Sequence, residues 1–125
     1  MWQGLGFDLC EIARMKEFVE DERFLNRFFT PAEIAYVRSR GRGAAQTLAG
    51  IFAAKEALSK ALGTGLCFDL REAEVLHAES GQPYYHLTGE AEQLAGGRRL
   101  LLSVSHDGGM AGAVCLMEAA QEPSA

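Results

Sequence analysis

The chain has 125 residues, of which 48% are hydrophobic, and it carries a formal net charge of −5 at pH 7. This length is typical of one domain, and the composition provides enough apolar side chains for a core. The negative total disfavours non-specific binding to nucleic acid, and no apolar run reaches the roughly 18 residues of a membrane-spanning helix.

The cysteines and the distribution of charge bear on the compartment and the partner. Cys10, Cys67 and Cys115 are odd in number and lack metal-binding spacing, so we interpret them as free thiols of a reducing compartment. The first residues do not resemble a secretory leader, and we therefore expect a cytoplasmic protein. Residues 1–62 contain nine basic and eight acidic side chains, whereas residues 63–125 contain three and nine. The N-terminal half can therefore present a basic face to an acidic partner.

The sequence begins with an alternating segment, Trp2–Leu9, which predicts a strand. One face of this strand would carry Leu5, Phe7 and Leu9, and the other Gly4, Gly6 and Asp8. Because glycines leave space beside the carboxylate, the second face could admit a bulky ligand close to the backbone. An equally good alternative is that Asp8 caps a helix over Cys10–Glu20, with Glu11 completing a capping box.

A second helix is predicted from its capping residues. Thr30, Pro31 and Glu33 are typical of the N-cap, first and third positions of a helix, which we expect to end near Arg38. The following segment, Ser39–Thr47, is a basic connection that contains glycine. Its arginines form either a solvated face or a contact with phosphate, whose oxygens match the guanidinium fork.

A long helix is predicted over Ala49–Leu62, because strong helix formers dominate this segment and Gly63 suits a left-handed C-cap. Its apolar stripe consists of Ile51, Ala54, Leu58 and Leu62. Glu56 and Lys60 fall nearly opposite, so a buried stripe would hold a carboxylate and an ammonium in fixed positions. The alternative is an ordinary surface pair four residues apart, which stabilises a helix by about 0.2–0.5 kcal/mol.

The C-terminal half predicts antiparallel strands, since turn signals separate its apolar segments. The expected elements are strands over Ala73–Ala78, Pro83–Leu87, Arg99–Ser105 and Met110–Met117, a helix over Thr88–Ala95, and a loop or short strand over Leu66–Arg71. The order β-α-α-α-β-β-α-β-β indicates an α+β fold, with an antiparallel sheet and helices packed on one side. His106–Gly109 is predicted to be a turn with a solvated histidine, and His77 and His86 receive no role.

Four segments together resemble the bacterial holo-acyl-carrier-protein synthases, the small 4′-phosphopantetheinyl transferases. They are GLGFDLCEIAR (Gly4–Arg14), RFFTPAE (Arg27–Glu33), FAAKEALSKALGTG (Phe52–Gly65) and SVSH (Ser103–His106). The resemblance implies one transferase domain over residues 1–118, followed by a tail at residues 119–125. It also implies the transfer of 4′-phosphopantetheine from coenzyme A to a serine of apo-acyl-carrier protein, which leaves adenosine 3′,5′-bisphosphate.

The same resemblance implies roles for individual residues. The metal-binding carboxylates would be Asp8 and Glu56, and the catalytic residues Glu56 and Lys60. The contacts with coenzyme A would be Lys60, Gly63, Gly65, Ser105 and His106, and those with the carrier protein Arg14 and Arg27. Members of the family are homotrimers with the site at the subunit interface, so the resemblance implies a shared site here too.

The chemistry of these residues agrees with that reaction. Attack on a pyrophosphate needs positive charge around the reacting phosphorus, and Mg²⁺ typically uses one or two carboxylates together with water and phosphate oxygens. Asp8 and Glu56 supply two carboxylates, and Lys60 can reach the same region as a point charge. The serine proton would be taken either by Glu56 or by a metal-held water.

The chain departs from the family pattern at Ile51, where many members have an arginine. This change removes a positive charge near the nucleotide phosphates, which Arg40, Arg42 or a neighbouring subunit would have to replace, and Asp107 adds a negative charge nearby. Two other functions therefore stay open. One is a metal-dependent phosphohydrolase acting on nucleotide pyrophosphates, and the other is a trimer that binds coenzyme A or the carrier protein without turnover.

Overall fold

A single long helix lies at the centre of the fold. In the computed structural model, which describes residues 1–65 and 67–120, the helices and strands have the following bounds. The strands are β1 (Trp2–Glu11), β2 (Ala73–His77), β3 (Pro83–Leu87), β4 (Leu100–Asp107) and β5 (Met110–Glu118). The helices are α1 (Ile12–Met15), α2 (Glu22–Phe28), α3 (Pro31–Arg38), α4 (Ala44–Leu62) and α5 (Gly89–Ala95).

The strands form two antiparallel sheets. One has the order β1-β5-β4, and the other is the hairpin of β2 and β3. Helix α4 contacts all three strands of the larger sheet and also β2. The α+β class with antiparallel pairing is confirmed, but the strands are divided between two sheets. None of the helices in the described ranges is long and apolar enough to cross a membrane.

Helix α4 forms the core because 12 of its 19 residues are buried. It ends at Gly63, whose left-handed φ of 75° confirms the predicted C-cap. The helix begins at Ala44, five residues earlier than predicted, so much of the expected connection Ser39–Thr47 is helical.

Helix α3 agrees with its sequence prediction. Thr30 is the N-cap, its hydroxyl accepts a hydrogen bond from the Glu33 backbone N–H, and the Glu33 carboxylate accepts one from the Thr30 N–H. Glu33 also has a role that the pattern did not reveal. Its carboxylate is fully buried and lies 2.8 Å from Lys55 Nζ, which donates further hydrogen bonds to two backbone carbonyls. This pair ties α3 to α4.

Strand β1 is oriented differently from our expectation. A Cβ on Gly6 would lie 1.7 Å from the Ala57 carbonyl oxygen, and one on Gly4 would lie 2.1 Å from that of Ala61. The glycines therefore admit helix α4, and not a ligand. The opposite, apolar face is open, since Leu5, Phe7 and Leu9 are 63%, 52% and 53% exposed.

The N-terminal helix is shorter than predicted. Asp8 lies inside β1, and α1 begins at Ile12 with Glu11 as its N-cap, so the alternative of a capping box at Asp8 is wrong. Only Ile12–Met15 is α-helical, and a 3₁₀ turn follows. Helix α2 was not predicted; Asp21 caps it by accepting a hydrogen bond from the Phe24 N–H at 3.0 Å.

Two further element boundaries in the C-terminal half also differ from the prediction. β4 continues through His106 to Asp107, so the turn before β5 contains only Gly108 and Gly109. Part of the expected loop Leu66–Arg71 is a 3₁₀ turn over Leu70–Glu72, while Leu66 lies outside the described residues. The predicted tail lies largely outside them as well.

Candidate active site

The fold brings together three of the predicted site residues. Asp8 lies on the β1 face that packs against α4, two residues beyond Gly6, and Glu56 and Lys60 lie on the facing side of that helix. Lys60 Nζ donates to Asp8 Oδ1 at 2.9 Å and to the Phe7 carbonyl at 3.2 Å. The close approach that Gly6 permits is therefore what sets the position of Asp8 against the helix.

Asp8, Glu56 and Lys60 form what we call the acidic cluster. Its electrostatics indicate that the two carboxylates lie near each other. Burial raises the pKa of Glu56, the charge of Asp8 raises it further, and Lys60 lowers it. The pKa of Lys60 is raised by its hydrogen bond to Asp8 and by that residue's charge. Lys60 thus pairs with Asp8, and not with Glu56 as the surface-pair alternative required.

The donor set of this cluster suits a hard divalent cation. Nowhere in residues 1–65 and 67–120 do three His, Cys, Asp or Glu side chains gather in a metal-binding group. Asp8 and Glu56 are two carboxylates from two elements, which is the protein share that Mg²⁺ commonly takes when a phosphate and waters complete its shell. The residues therefore fit a cation that binds together with a phosphate-bearing substrate.

The end of α4 adds exposed backbone one turn beyond Lys60. Gly63 and Gly65 have φ of 75° and 66°, and both are exposed. A side chain would be strained at either position, so the glycines keep this segment of backbone bare.

The two predicted carrier-protein residues lie on separate helices. Arg14 is exposed on α1 and close enough to act on the Cys10 thiol, whose pKa is raised chiefly by burial and lowered by Arg14. The charges of Asp8 and Glu56 act on the same thiol and raise its pKa. Arg27 is exposed on α2, with its guanidinium 5.2 Å from the ring centre of Phe28.

His106 lies at the other end of α4, beside a cleft of about 250 Å³. Its ring Nε2 is 2.8 Å from the side-chain nitrogen of Gln46. Ser105 does not share this environment, because neighbouring residues of a strand point to opposite faces and only His106 lines the cleft. Gln46 and Glu56 are separated by ten helical residues, which is about 15 Å along the axis. One chain therefore holds the acidic cluster and the histidine cleft apart.

The cleft also contains Ile51, the residue at which the chain departs from the family pattern. Ile51 forms part of the wall, and Arg40 lies on the same wall whereas Arg42 does not. The Arg40 guanidinium is 5.6 Å from the ring centre of Tyr36, which stacks on His77 at 4.1 Å. Sequence reasoning gave His77 no role, and its position four residues after the predicted strand start offered no signal.

Lys55 is the other residue that the pattern analysis missed. A signal did exist, since Lys55 lies four residues after Ile51 and three before Leu58, which places it on the buried stripe. Burial lowers the pKa of Lys55, while the charge of Glu33 and a hydrogen bond to it act in the opposite direction.

Comparisons with known proteins agree with the geometry. A family model described as the 4′-phosphopantetheinyl transferase superfamily matches residues 4–115. The holo-[acyl-carrier-protein] synthase of Treponema denticola is 42% identical over 119 residues, covering 92% of this chain and 97% of the relative. That of Trichlorobacter lovleyi is 45% identical over 125 residues, covering 93% and 97%.

Solved structures show the same likeness. The crystal structure of the Helicobacter pylori holo-[acyl-carrier-protein] synthase in complex with coenzyme A has a TM-score of 0.78 at 31% identity, covering 91% of this chain and 99% of that one. The synthase of Neisseria meningitidis has a TM-score of 0.82 at 29% identity, covering 95% and 100%.

Proposed function

This chain belongs to the 4′-phosphopantetheinyl transferase superfamily, and from that premise we propose that Asp8, Glu56 and Lys60 form the reaction centre. The reaction is the transfer of 4′-phosphopantetheine from coenzyme A to a serine of apo-acyl-carrier protein, which releases adenosine 3′,5′-bisphosphate. The observation that carries the assignment is the convergence of a strand carboxylate with a helix carboxylate and lysine, marked by the 2.9 Å contact between Lys60 and Asp8.

Asp8 and Glu56 would hold Mg²⁺ together with the pyrophosphate of coenzyme A. When bound, the cation supplies positive charge to the oxygens around the reacting phosphorus. The choice of Mg²⁺ rests on the donor set, because two carboxylates without sulfur or imidazole favour a hard cation.

The protein's own groups then move a proton and stabilise charge. The serine oxygen forms a bond to the phosphorus that bears pantetheine, and the bond from this phosphorus to the nucleotide's phosphate oxygen breaks. Glu56 accepts the serine proton, since burial and the charge of Asp8 raise its pKa and so strengthen it as a base. Lys60 is exposed enough to turn from Asp8 toward the leaving phosphate, where its charge opposes the developing negative charge.

Coenzyme A would lie against the exposed backbone of Gly63 and Gly65 and reach the His106 cleft through its nucleotide, while Ser105 lies on the strand face that points away from that cleft. Arg40 supports this placement, because it brings a permanent positive charge to the cleft where Ile51 is neutral. Arg14 and Arg27 would meet the acidic surface of the carrier protein, as both are exposed cations on the N-terminal helices.

A homotrimer would unite the two parts of the site. Support comes from the open apolar face of β1, where three large side chains are more than half exposed. Neighbouring copies that cover this face can bring one subunit's His106 cleft to another subunit's acidic cluster. We place this assembly in the cytoplasm, in keeping with the free thiols of Cys10, Cys67 and Cys115.

The test is to incubate the protein with apo-carrier protein, coenzyme A and Mg²⁺ and to measure the mass of the carrier protein. We expect the gain of one phosphopantetheine and release of adenosine bisphosphate, both abolished by a chelator. A carrier protein of unchanged mass with every divalent cation tried would overturn the proposal. Release of adenosine bisphosphate without any carrier protein would indicate a phosphohydrolase instead.

A further inference from the structure

The His106 cleft has a chemical character of its own. Its walls include three nitrogen bases or cations, Arg40, His77 and His106, and no Asp or Glu. This composition is unusual on a chain with a net charge of −5. A cleft lined in this way favours an anion with oxygen acceptors, such as a phosphate.

The contact between Gln46 and His106 fixes how the histidine can meet such an anion. The Gln46 side-chain nitrogen lies 2.8 Å from His106 Nε2. In this arrangement the amide nitrogen donates and Nε2 accepts, so a neutral imidazole carries its proton on Nδ1. Nδ1 makes no hydrogen bond to the part of the chain that the structure describes, so its N–H stays available to a ligand.

We propose that Gln46 is a positioning residue that keeps neutral His106 in the form protonated on Nδ1, so that this ring donates to a nucleotide phosphate at neutral pH. The inference rests on the proposed function, in which coenzyme A occupies this cleft. The opposite tautomer would direct a lone pair at the phosphate and repel it, unless the ring gained a second proton.

The charged and titratable groups around His106 come from three elements and the connection before α4. Arg40 lies on the same cleft wall and is always charged, and its charge contributes to the lowered pKa of His77, after burial. Tyr36 stacks on His77, and Asp107 follows His106 in β4. A neutral N–H in this cleft would add a hydrogen bond to an anion that Arg40 also attracts.

The first test is spectroscopic and needs no activity. The chain has three histidines, so the ring nitrogens of His106 can be assigned by NMR after single substitution of each one. We expect the parent ring at neutral pH to be protonated on Nδ1 and unprotonated on Nε2. The isosteric change Gln46→Glu presents only acceptors, so it should reverse the two nitrogens and let the ring keep its second proton to higher pH. A parent ring protonated on Nε2, or nitrogen shifts that ignore the substitution, would overturn the proposal.

The second test is the pH profile of coenzyme A binding. For the parent, the KM for coenzyme A should change little between about pH 6 and 8. For Gln46→Glu it should rise roughly tenfold across that range as the ring loses its second proton and Nδ1 becomes an acceptor, with kcat changing much less. Gln93→Glu makes the same chemical change on the exposed face of α5 and should leave the profile unchanged.

The two tests separate this inference from the proposed function. If the parent transfers no phosphopantetheine, the proposed function fails while the NMR result still decides the role of Gln46. If the parent is active and the Gln46→Glu profile matches that of the parent, only the positioning role fails.

Discussion

Glu56 combines two properties that suit its proposed role as proton acceptor. It is partly buried beside Asp8, which raises its pKa, and it lies one helical turn from Lys60, which limits that rise. A carboxylate with a raised pKa is a better base than one in free solution. This balance comes from one strand and one helix held at a fixed separation.

The change Glu56→Gln keeps the shape of the side chain and removes its charge and basicity. We expect kcat for carrier-protein modification to fall by at least about 10²-fold, because both a metal ligand and the base are lost. Circular dichroism should show an unchanged fold. The matched control is Glu90→Gln on the exposed surface of α5, which should keep full activity. Full activity of the Glu56 variant would disprove both of its assigned roles.

Glu56→Gln should lower activity, but we expect it to raise the stability of the fold at neutral pH. Because the folded-state pKa of Glu56 is raised, the folded protein binds more protons than the unfolded chain between the ordinary carboxyl pKa and the raised one. The contribution of Glu56 to the free energy of unfolding therefore falls as pH rises through that window, and stays low above it. Glutamine cannot ionise, so Glu56→Gln should melt a few degrees above the parent at about pH 7 and lose this advantage near about pH 4. A variant whose Tm is lower than that of the parent at neutral pH would contradict the direction of the shift.

At the scale of elements, the site depends on how closely β1 approaches α4. The two glycines of β1 have no side chain to hold the helix away, and hydrogen bonding of Lys60 to both Phe7 and Asp8 follows from this contact. Glycine in a strand weakens it, so its presence here indicates a requirement for space.

Gly6→Ala tests this requirement. Its Cβ would lie 1.7 Å from the Ala57 carbonyl oxygen, so strand and helix must separate. We expect a loss of about 1–3 kcal/mol or more in the free energy of unfolding, and a fall in activity greater than the loss of folded protein explains, because Asp8 moves from Lys60. Gly43→Ala is the control, since its Cβ would meet nothing nearer than 4.0 Å. Denaturant titration and kcat measured on folded protein separate the two effects.

Elements specified by neighbouring residues were predictable from the sequence. The capping box of Thr30 and Glu33 and the left-handed Gly63 both depend on contacts within one helical turn, and both were predicted. Periodicity alone placed Glu56 and Lys60 on one side of α4, but it did not specify which carboxylate Lys60 meets. The family resemblance assigned Asp8, Glu56 and Lys60 to one site but did not predict that Lys60 pairs with Asp8, from which 52 residues separate it along the chain.

Features set by distant contacts were not predictable. Lys55 is buried because Glu33, 22 residues earlier, and two backbone carbonyls satisfy its ammonium group. Breaking such a pair leaves a buried charge without a partner. The burial of either residue therefore cannot be predicted without knowing that the other lies beside it. The predicted orientation of β1 was also wrong. The usual rule places the apolar face of a strand inward, whereas here the glycine face packs against the core.

At the scale of the whole molecule, the larger sheet has two unlike faces. Helix α4 covers one, while the other exposes the apolar stripe of β1 next to Val114 and Leu116 of β5, which pair with Phe7 and Leu5. A continuous apolar surface of this kind marks an interface in most soluble proteins. In the proposed trimer, copies that meet at this surface would bring the His106 cleft of one subunit to the acidic cluster of another, which would give the surface a catalytic purpose.

Phe7→Glu tests that purpose, because it places a charge at the middle of the open face without removing a core residue. Phe7 is 52% exposed in the single chain, so we expect the isolated subunit to fold, with its far-ultraviolet circular dichroism retained. By light scattering we expect a trimer for the parent and a monomer for the variant, and activity should fall by more than about tenfold because one subunit would no longer complete the site of the next. Ala35→Glu, on the exposed face of α3, should leave both the mass and the activity unchanged. A Phe7→Glu protein that stays trimeric would show that the copies meet elsewhere, and a fully active monomer would show that one chain contains the whole site.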